Sequence, residues 1–251
     1  MHLDVVDLRN FYVSQLGRIA RRTLRRQIRQ IWHSVNGQTV LGLGYATPYL
    51  TPFRQDAERV IAMMPAAQGV TRWPEDGAGL VGLTEETSLP LVDSSVDKVV
   101  LVHGLENSEV VRPMLREIWR VLSPEGRLLV AVPYRRGLWA STERTPFGHG
   151  RPYSRGQLNR LLSDCMFAPG NPMLTLFMPP FAWPFMLKSA PAWENTGRWL
   201  WPGLGGIILV EATKRIYAAT PVRQRRRILR PVPATYVPAA NEQSPRDKVE
   251  E

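Results

Sequence analysis

The chain has 251 residues, a formal net charge of +10 at neutral pH and a single cysteine, Cys165. This length is enough for one domain of roughly 200 residues with extensions. One cysteine excludes an internal disulfide and any metal site that needs two thiolates, and the four histidines show no ligand spacing, so no metal site is predicted. We expect a cytoplasmic protein, because the sequence shows no secretory signal and no apolar run long enough to span a membrane.

The surplus of positive charge lies at the two ends of the chain. Residues 1–35 hold seven arginines against two aspartates, and residues 214–251 hold nine basic residues against four acidic ones. Residues 36–213 are balanced, with 16 residues of each sign. A nucleic-acid-binding domain would carry its basic patch on the folded part, so the charge says little about the central function. It leaves open a weak contact of the basic ends with nucleic acid or with an anionic membrane, to which the protein would be peripheral.

The first predicted element is an amphipathic helix over residues 13–35, within an N-terminal segment of residues 1–35. Apolar side chains recur every three or four residues with arginines between them, and Gly17 could interrupt the helix. The simplest interpretation is a helix that docks its apolar stripe on the domain and leaves its arginines in solvent. A membrane-surface or nucleic-acid contact of the arginine face is the alternative. The apolar positions are Val13, Leu16, Ala20, Leu24, Ile28, Ile31 and Val35.

The segment TVLGLGYATP, residues 39–48, predicts a buried strand, a tight glycine loop and the start of a helix. Its apolar run suits a parallel strand covered by helices on both faces, and Gly42 and Gly44 remove side chains where the backbone turns. Thr47 is predicted as the helix N-cap and Pro48 as the first helical residue. Such a helix start can bind a carboxylate, phosphate or ribose-bearing ligand, although tight glycine turns also occur for packing alone.

Strands and helices then alternate along residues 36–219, the predicted central domain. This alternation predicts an α/β fold with a doubly wound, mostly parallel sheet, whose strands end at one common edge. We therefore expect the loops that follow these strands to form the functional site. The predicted strands are 40–43, Arg59–Met64, Leu80–Leu83, Asp97–His103, Arg127–Pro133, Met173–Phe177 and Gly206–Ala212, and the predicted helices are Tyr49–Glu58, 109–122 and Ser154–Leu162.

Two further segments have an unusual composition. Residues 178–202 are rich in aromatic residues and proline, which predicts an apolar cover over the active edge of the sheet. An apolar substrate pocket and a membrane-contacting patch are the alternatives for this insert. Residues 220–251 combine arginines, prolines and polar residues, which is typical of a disordered tail.

Four blocks of the sequence together resemble the Rossmann-like S-adenosylmethionine-dependent methyltransferases, in particular their type 11 group. The third and fourth blocks are the most specific, because an Asp-led strand before a helix that ends in Arg-Val-Leu-x-Pro-x-Gly is rarely met elsewhere. The resemblance implies a seven-stranded sheet with an antiparallel last strand, and methyl transfer by in-line displacement at a sulfonium without a protein nucleophile. The blocks are Val40–Ala46, Thr84–Leu91, Ser95–Glu106 and Leu115–Val130.

The resemblance also implies where the cofactor, S-adenosylmethionine, binds in the first half of the sheet. Its amino-acid end would lie over the first loop, at Gly42, Gly44 and Ala46. This loop departs from the family pattern, which has an acid at the position of Gly42 and glycines at the positions of Ala46 and Pro48. The acid that holds the ribose hydroxyls falls near Met64, which carries no carboxylate. Loss of that acceptor predicts weaker cofactor binding.

Further implied site residues follow the third and fourth strands. Glu85 falls where the family has an acid that accepts from the adenine amino group, and the backbone amide of Glu86 would lie at the ring. His103 ends the fourth strand, lines the implied cofactor site and is the candidate general base, because imidazole exchanges protons near neutral pH. Glu106 begins the next loop and is a weaker second candidate.

The sequence thus predicts an S-adenosylmethionine-dependent methyltransferase with an unidentified acceptor. The alternative is a protein that kept the sheet, lost the cofactor and acts as an interaction module through its basic ends; the altered first loop and Met64 favour it. An NAD-dependent oxidoreductase is disfavoured, because the Gly-x-Gly-x-x-Gly spacing and an acid after the second strand are both missing. His149 and Tyr153 lie in the loop that faces the acceptor in the family, although ordinary loop packing explains both.

Overall fold

The computed structural model describes residues 3–216, apart from 182, 184, 185, 188 and 202. The predicted tail, residues 220–251, therefore lies outside the described residues. The helices are α1 (Val5–Val13), α2 (Gln15–Ile31), α3 (Thr47–Leu50), α4 (Val111–Val121), α5 (Arg155–Asp164) and α6 (Ala190–Leu200), with single 3₁₀ turns at Thr51–Phe53, Leu138–Ser141 and Pro146–Gly148. The strands are β1 (Thr39–Gly44), β2 (Arg59–Pro65), β3 (Val81–Thr84), β4 (Val96–Val102), β5 (Leu122–Pro133), β6 (Phe167–Pro169), β7 (Met173–Thr175) and β8 (Ile207–Lys214).

The eight strands of the described residues form one sheet in the order β3-β2-β1-β4-β5-β8, with β6 and β7 both paired to β8. Strands β1 to β5 pair in parallel, whereas β8 is antiparallel to its neighbours. The short strands β6 and β7 occupy one edge position, which is interrupted where the Gly170 amide donates to the Glu211 carbonyl oxygen at 2.8 Å. The predicted α/β fold with an antiparallel last strand is confirmed, and β6 is a strand that the sequence patterns did not reveal.

Helices cover both faces of the sheet, because apolar side chains of each strand alternate between the two faces. Leu24 and Ile28 of α2 pack with Val40 and neighbouring strand residues on one face. The apolar side of α4 packs on the other face, where Ile118 and Leu41 belong to one buried cluster. This double cover explains why the central strands are apolar throughout. In the described part of the chain, no helix is both long and apolar enough to cross a membrane.

The predicted single helix over residues 13–35 is wrong in its bounds. The chain breaks at Ser14, which has an extended backbone and separates α1 from α2. The Ser14 hydroxyl oxygen accepts from the Gly17 amide at 3.0 Å, so it caps α2. A Cβ at Gly17 would lie 1.9 Å from the carbonyl oxygen of Phe11. Gly17 therefore lets α1 pack closely against the first turn of α2 and does not itself interrupt a helix.

The predicted helix Tyr49–Glu58 is also wrong. The structure has only the one-turn α3 followed by a 3₁₀ turn. Pro52 explains the early end, because it lacks an amide hydrogen and its ring clashes with the carbonyl group four residues earlier. The predicted N-cap shifts by one residue as well: Ala46 holds the cap position without a side-chain bond, and Thr47 is the first helical residue.

The aromatic insert, residues 178–202, is described only in part. Trp193 of α6 packs against the core. Trp183, Trp199 and Trp201 are exposed to 66%, 81% and 48%. The insert thus contributes one tryptophan to the domain and leaves three on its surface.

Candidate functional site

The first glycine loop lies where the carboxyl ends of the parallel strands meet. Gly44 has a φ of +75°, and a Cβ there would lie 2.4 Å from the carbonyl oxygen of Val102 and 3.0 Å from the amide nitrogen of Gly104. A Cβ at Gly42 would lie 2.5 Å from Cδ1 of Leu50 in α3. The packing of β1 against β4 therefore requires glycine at position 44, whether or not a ligand binds, whereas a Cβ at position 42 would displace the Leu50 side chain.

Ala46 and Met64, two further positions implied by the resemblance, are fully buried in the core beneath α1 and α2. Met64 pairs in register with Leu83 of β3, as an ordinary strand residue. An apolar core side chain thus occupies the position of the family acid. No acceptor for ribose hydroxyls comes from this point of β2.

Glu85 and Glu86 follow β3 and line a cavity of about 190 Å³ together with Pro65, Ala66 and residues of the loop before α4. Glu85 is exposed, so its carboxylate is free to accept a hydrogen bond in the cavity. Glu86 is half-buried and accepts a short hydrogen bond from the Ser108 hydroxyl. This volume is below that of drug-sized ligand sites, so the cavity suits a group of the size of a nucleobase.

His103 follows β4 and is fully buried, with a φ of +53°. Its Nε2 lies 2.7 Å from the hydroxyl oxygen of Tyr12, which in turn lies 2.7 Å from the hydroxyl oxygen of Tyr49. On the other side of the ring, Nδ1 lies 3.2 Å from Oε1 of the buried Glu106. Sequence reasoning selected His103 and Glu106 but missed both tyrosines, which come from α1 and α3.

These four residues form a buried chain of titratable groups. If Nδ1 carries the proton toward Glu106, Nε2 accepts from the Tyr12 hydroxyl, and the Tyr12 oxygen accepts from Tyr49. Burial, and then the neighbouring Tyr49, raise the pKa of Tyr12 well above its usual value. Burial likewise raises the pKa of Tyr49. Both tyrosines are therefore neutral phenols near neutral pH.

The same edge contains several buried polar atoms with no hydrogen-bond partner within the described residues. Nδ1 of His103 and Oε1 of Glu106, 3.2 Å apart, are close enough for an ion pair but are not aligned as a hydrogen bond. An unpaired buried polar group costs about 1–3 kcal/mol, so a cluster of them points to a ligand that donates hydrogen bonds. The acceptor atoms of this cluster are both carboxylate oxygens of Glu106, Oε1 of Gln68 and Oδ1 of Asn107.

Gln68 and Asn107 surround the end of β4. Their amide groups donate to the carbonyl oxygen of His103 at 3.0 Å and 3.2 Å. Both line a small cavity of about 10 Å³ together with Leu3 and His103. Neither residue has a sequence signal, because only the fold brings the unpaired oxygens to this edge.

Helix α1 lies across this edge of the sheet. The Val5 amide donates to the carbonyl oxygen of Gln68 at 2.8 Å. The Tyr12 ring stacks on Tyr45 of the first loop, with centroids 5.6 Å apart. Helix α1 thus covers part of the first loop, and Leu3, just before the helix, lines the small cavity next to His103.

The loop after β5 also reaches the site, but not through the two predicted residues. Nε2 of His149 lies 2.8 Å from the Glu143 carbonyl oxygen, and the amide of Tyr153 donates to Pro133, so these contacts hold the loop itself. The neighbouring Phe147 packs on the His103 ring with centroids 4.5 Å apart. Phe147 therefore helps to fix His103, a role that the sequence did not indicate.

The sheet order and the site at its carboxyl edge define a Rossmann-like α/β protein. Residues 40–130 match the sequence profile of the family described as methyltransferase domain. The predicted resemblance to this family is thus confirmed for this segment. The ubiquinone/menaquinone biosynthesis C-methyltransferase UbiE of Rubrivivax gelatinosus is 32% identical over 128 residues, which are 49% of this chain and 47% of that protein. The chain therefore spans about half the length of this curated relative.

Solved structures share the fold at low sequence identity. A Thermotoga maritima S-adenosylmethionine-dependent methyltransferase, described as a possible histamine N-methyltransferase, has a TM-score of 0.58 and 17% identity, over 84% of this chain and 96% of that chain. The [4+2]-cyclase SpnF has a TM-score of 0.55 and 22% identity, over 79% of this chain and 82% of that chain. Because one of these neighbours is a cyclase, the fold alone does not define the reaction.

Proposed function

We propose that this protein is an S-adenosylmethionine-dependent methyltransferase that acts on an unidentified acceptor. The observation that carries the proposal is the cluster of buried, unpaired acceptor atoms on Gln68, Glu106 and Asn107 at the edge of the sheet. These atoms lie within the segment that matches the methyltransferase-domain family. A ligand with hydroxyl and amino groups would satisfy them, and the adenosyl group has both.

The residues present fit the adenosyl end of this cofactor. The exposed carboxylate of Glu85 would accept from the adenine amino group in the cavity of about 190 Å³. Oε1 of Gln68 would accept from a ribose hydroxyl in place of the acid that Met64 replaces. A hydrogen bond to an uncharged amide is weaker than one to a carboxylate, so we expect affinity lower than a family acid would provide.

The amino-acid end requires a rearrangement of the segment before α1. The cavity beside His103, which Leu3 lines, measures only about 10 Å³. We therefore propose that Leu3 moves away from the sheet edge when the cofactor binds, while Tyr12 of α1 keeps its contact with His103.

The side chains at this edge also suit the removal of a proton from an acceptor. When bound, the cofactor would supply a methyl group on a sulfonium; the acceptor atom would bond to the methyl carbon, and the carbon–sulfur bond would break to leave neutral S-adenosylhomocysteine. A proton released by the acceptor would pass to the Tyr12 oxygen while the Tyr12 proton moves to Nε2 of His103. The Glu106 carboxylate beside Nδ1 would then stabilise the imidazolium.

A thermal-shift titration with S-adenosylhomocysteine tests this proposal. We expect Glu85→Ala to weaken binding about tenfold, because it removes one hydrogen bond to a charged group. Glu125→Ala removes an exposed carboxylate of β5 that does not line the cavity and serves as the control, with no change expected. Equal affinities of both variants would exclude Glu85 from the site, and no shift at millimolar ligand would instead favour the cofactor-free module.

We also propose weak attachment to anionic membrane surfaces. The exposed Trp183 and Trp199, together with the exposed Arg22 and Arg26 of α2, support this. Such side chains attach proteins through interfacial aromatic contacts and through charge that salt screens. We expect co-sedimentation with anionic vesicles that is lost at high salt. Equal binding to neutral vesicles at high salt would show that charge is not required, and preferential binding of nucleic acid would redirect the assignment.

A further inference from the structure

Tyr12, whose hydroxyl contacts His103, also lines a second and larger cavity. This cavity has a volume of about 550 Å³ and lies between α1, α2, the first loop and residues 71–76. Its volume is in the range of small-molecule sites. The rings of Tyr12, Tyr45 and Trp73 form part of its wall. The proposed adenosyl site does not use it.

The cavity carries a surplus of positive charge. Five arginines line it, against only two acidic residues, Glu75 and Asp76, so three positive charges are in excess. These arginines come from four separate parts of the chain: helix α1, helix α2, the loop after β1 and the loop after β2. They are Arg9, Arg21, Arg25, Arg54 and Arg72.

The partners of these arginines leave their charge uncompensated. Arg25 donates to the Pro48 carbonyl oxygen at 3.1 Å and 2.5 Å, and Arg72 donates to the Gly77 carbonyl oxygen at 3.0 Å. Within the part of the chain that the structure describes, no carboxylate lies within ion-pair distance of Arg9 or Arg21. By contrast Arg29, one turn beyond Arg25 on α2, pairs with Asp56 at 2.5 Å.

The arginines are also close enough to repel one another. Burial, followed by the charge of Arg21, lowers the pKa of Arg25. The charges of Arg9 and Arg21 act on Tyr45 as well, where they oppose the rise in pKa that burial causes. Like charges gathered around a concave site are stabilised by a bound anion.

We propose that this cavity binds a molecule that carries a phosphate or diphosphate group on a planar or apolar body. Guanidinium groups match phosphate oxygens in pairs of parallel hydrogen bonds, and several of them suit a multiply charged group. The aromatic wall would contact the body of the ligand. The phosphate could belong to a soluble small molecule or to a lipid headgroup. This binding goes beyond methyl transfer and does not depend on it.

Calorimetric titration of the full chain with inorganic pyrophosphate tests the site. Arg21→Glu reverses a charge that lines the cavity, whereas Arg18→Glu makes the same change on the exposed side of α2, outside it. We expect Arg21→Glu to weaken binding at least about tenfold, and Arg18→Glu less than about twofold. Equal losses in both variants, or no heat from the wild type at millimolar pyrophosphate, would overturn the site. If Arg21→Glu does not fold, Arg21→Gln and Arg18→Gln make the same comparison.

Vesicle binding distinguishes the two sources of phosphate. Phosphatidylcholine vesicles with and without phosphatidic acid are sedimented with both variants. A loss of binding to phosphatidic acid in Arg21→Glu, but not in Arg18→Glu, supports a lipid headgroup. Pyrophosphate binding that depends on Arg21, with equal vesicle binding in both variants, supports a soluble phosphorylated molecule. Unchanged binding of S-adenosylhomocysteine in Arg21→Glu would show that this site and the cofactor site are separate.

Discussion

The hydroxyl group of Tyr12 is predicted to be a major contributor to the stability of α1 on the sheet. It is the common partner of the Tyr49 hydroxyl and of Nε2 of His103, each at 2.7 Å, and all three side chains are buried. Tyr12→Phe keeps the ring and leaves both buried partners without a hydrogen bond. At about 1–2 kcal/mol for each, the substitution should lower the free energy of unfolding by about 2–4 kcal/mol.

Tyr45→Phe is the matched control for this prediction. Tyr45 stacks on Tyr12 and is nearly as buried, but within the described residues its hydroxyl has no hydrogen-bond partner. We expect a change below about 0.5 kcal/mol for Tyr45→Phe. Urea unfolding followed by tryptophan fluorescence measures both values. A loss in Tyr12→Phe no larger than that in Tyr45→Phe would refute the view that the hydroxyl chain holds α1 in place.

Three further predictions concern the glycine loop, the buried methionine and the buried phenols. In urea unfolding, Gly44→Ala should lower the free energy of unfolding by at least about 2 kcal/mol more than Gly37→Ala does. Both glycines have a positive φ, but only a Cβ at position 44 would lie against β4. Similar losses in the two variants would contradict the steric explanation. Met64→Asp, which restores the acid of the family, should lower the free energy of unfolding by about 2 kcal/mol or more, because the Met64 side chain is fully buried. Met64→Leu should cost less than about 1.5 kcal/mol. An unchanged melting temperature in Met64→Asp would contradict this prediction. The raised pKa of Tyr12 and Tyr49 means that the folded state holds these protons more tightly than the unfolded state, so their contribution is complete below about pH 10 and is lost as pH rises from there toward the folded-state values. Alkaline unfolding curves should show this loss, and a curve for Tyr12→Phe with the same alkaline slope as the wild type would contradict it.

The sheet could be predicted because its central strands carry a strong and local signal. Residues such as Val40 and Leu41 of β1 must be apolar on both faces, and turn residues separate each strand from the next helix. The early end of the helix after β1 was also within reach, since Pro52 lies inside the predicted helix and its effect is local. The three-residue strand β6 carries too short a pattern to be recognised, and its position depends on its pairing with β8.

The site was predictable only where the chain delivers a residue directly to the sheet edge. His103 and Glu85 follow strands, and their places at the edge come from topology. Tyr12 reaches His103 across 91 positions of sequence, and this depends on the break at Ser14, which the regular spacing of α2 concealed. The unpaired oxygen of Gln68 has no sequence signature, because burial and the absence of a partner arise only from the packed fold.

Calorimetric titration of the full chain with S-adenosylhomocysteine measures directly whether the cofactor binds at the edge that Leu3 and α1 cover. We expect micromolar binding by the wild type, and binding at least about threefold tighter in Leu3→Ala, because truncation of a side chain that lines the small cavity raises the population of the open site. Val6→Ala truncates an exposed residue of the adjacent helix α1 and should leave the affinity unchanged. No heat at millimolar ligand in any of the three proteins would contradict cofactor binding, and equal affinities in Leu3→Ala and Val6→Ala would contradict the role of Leu3 as its cover.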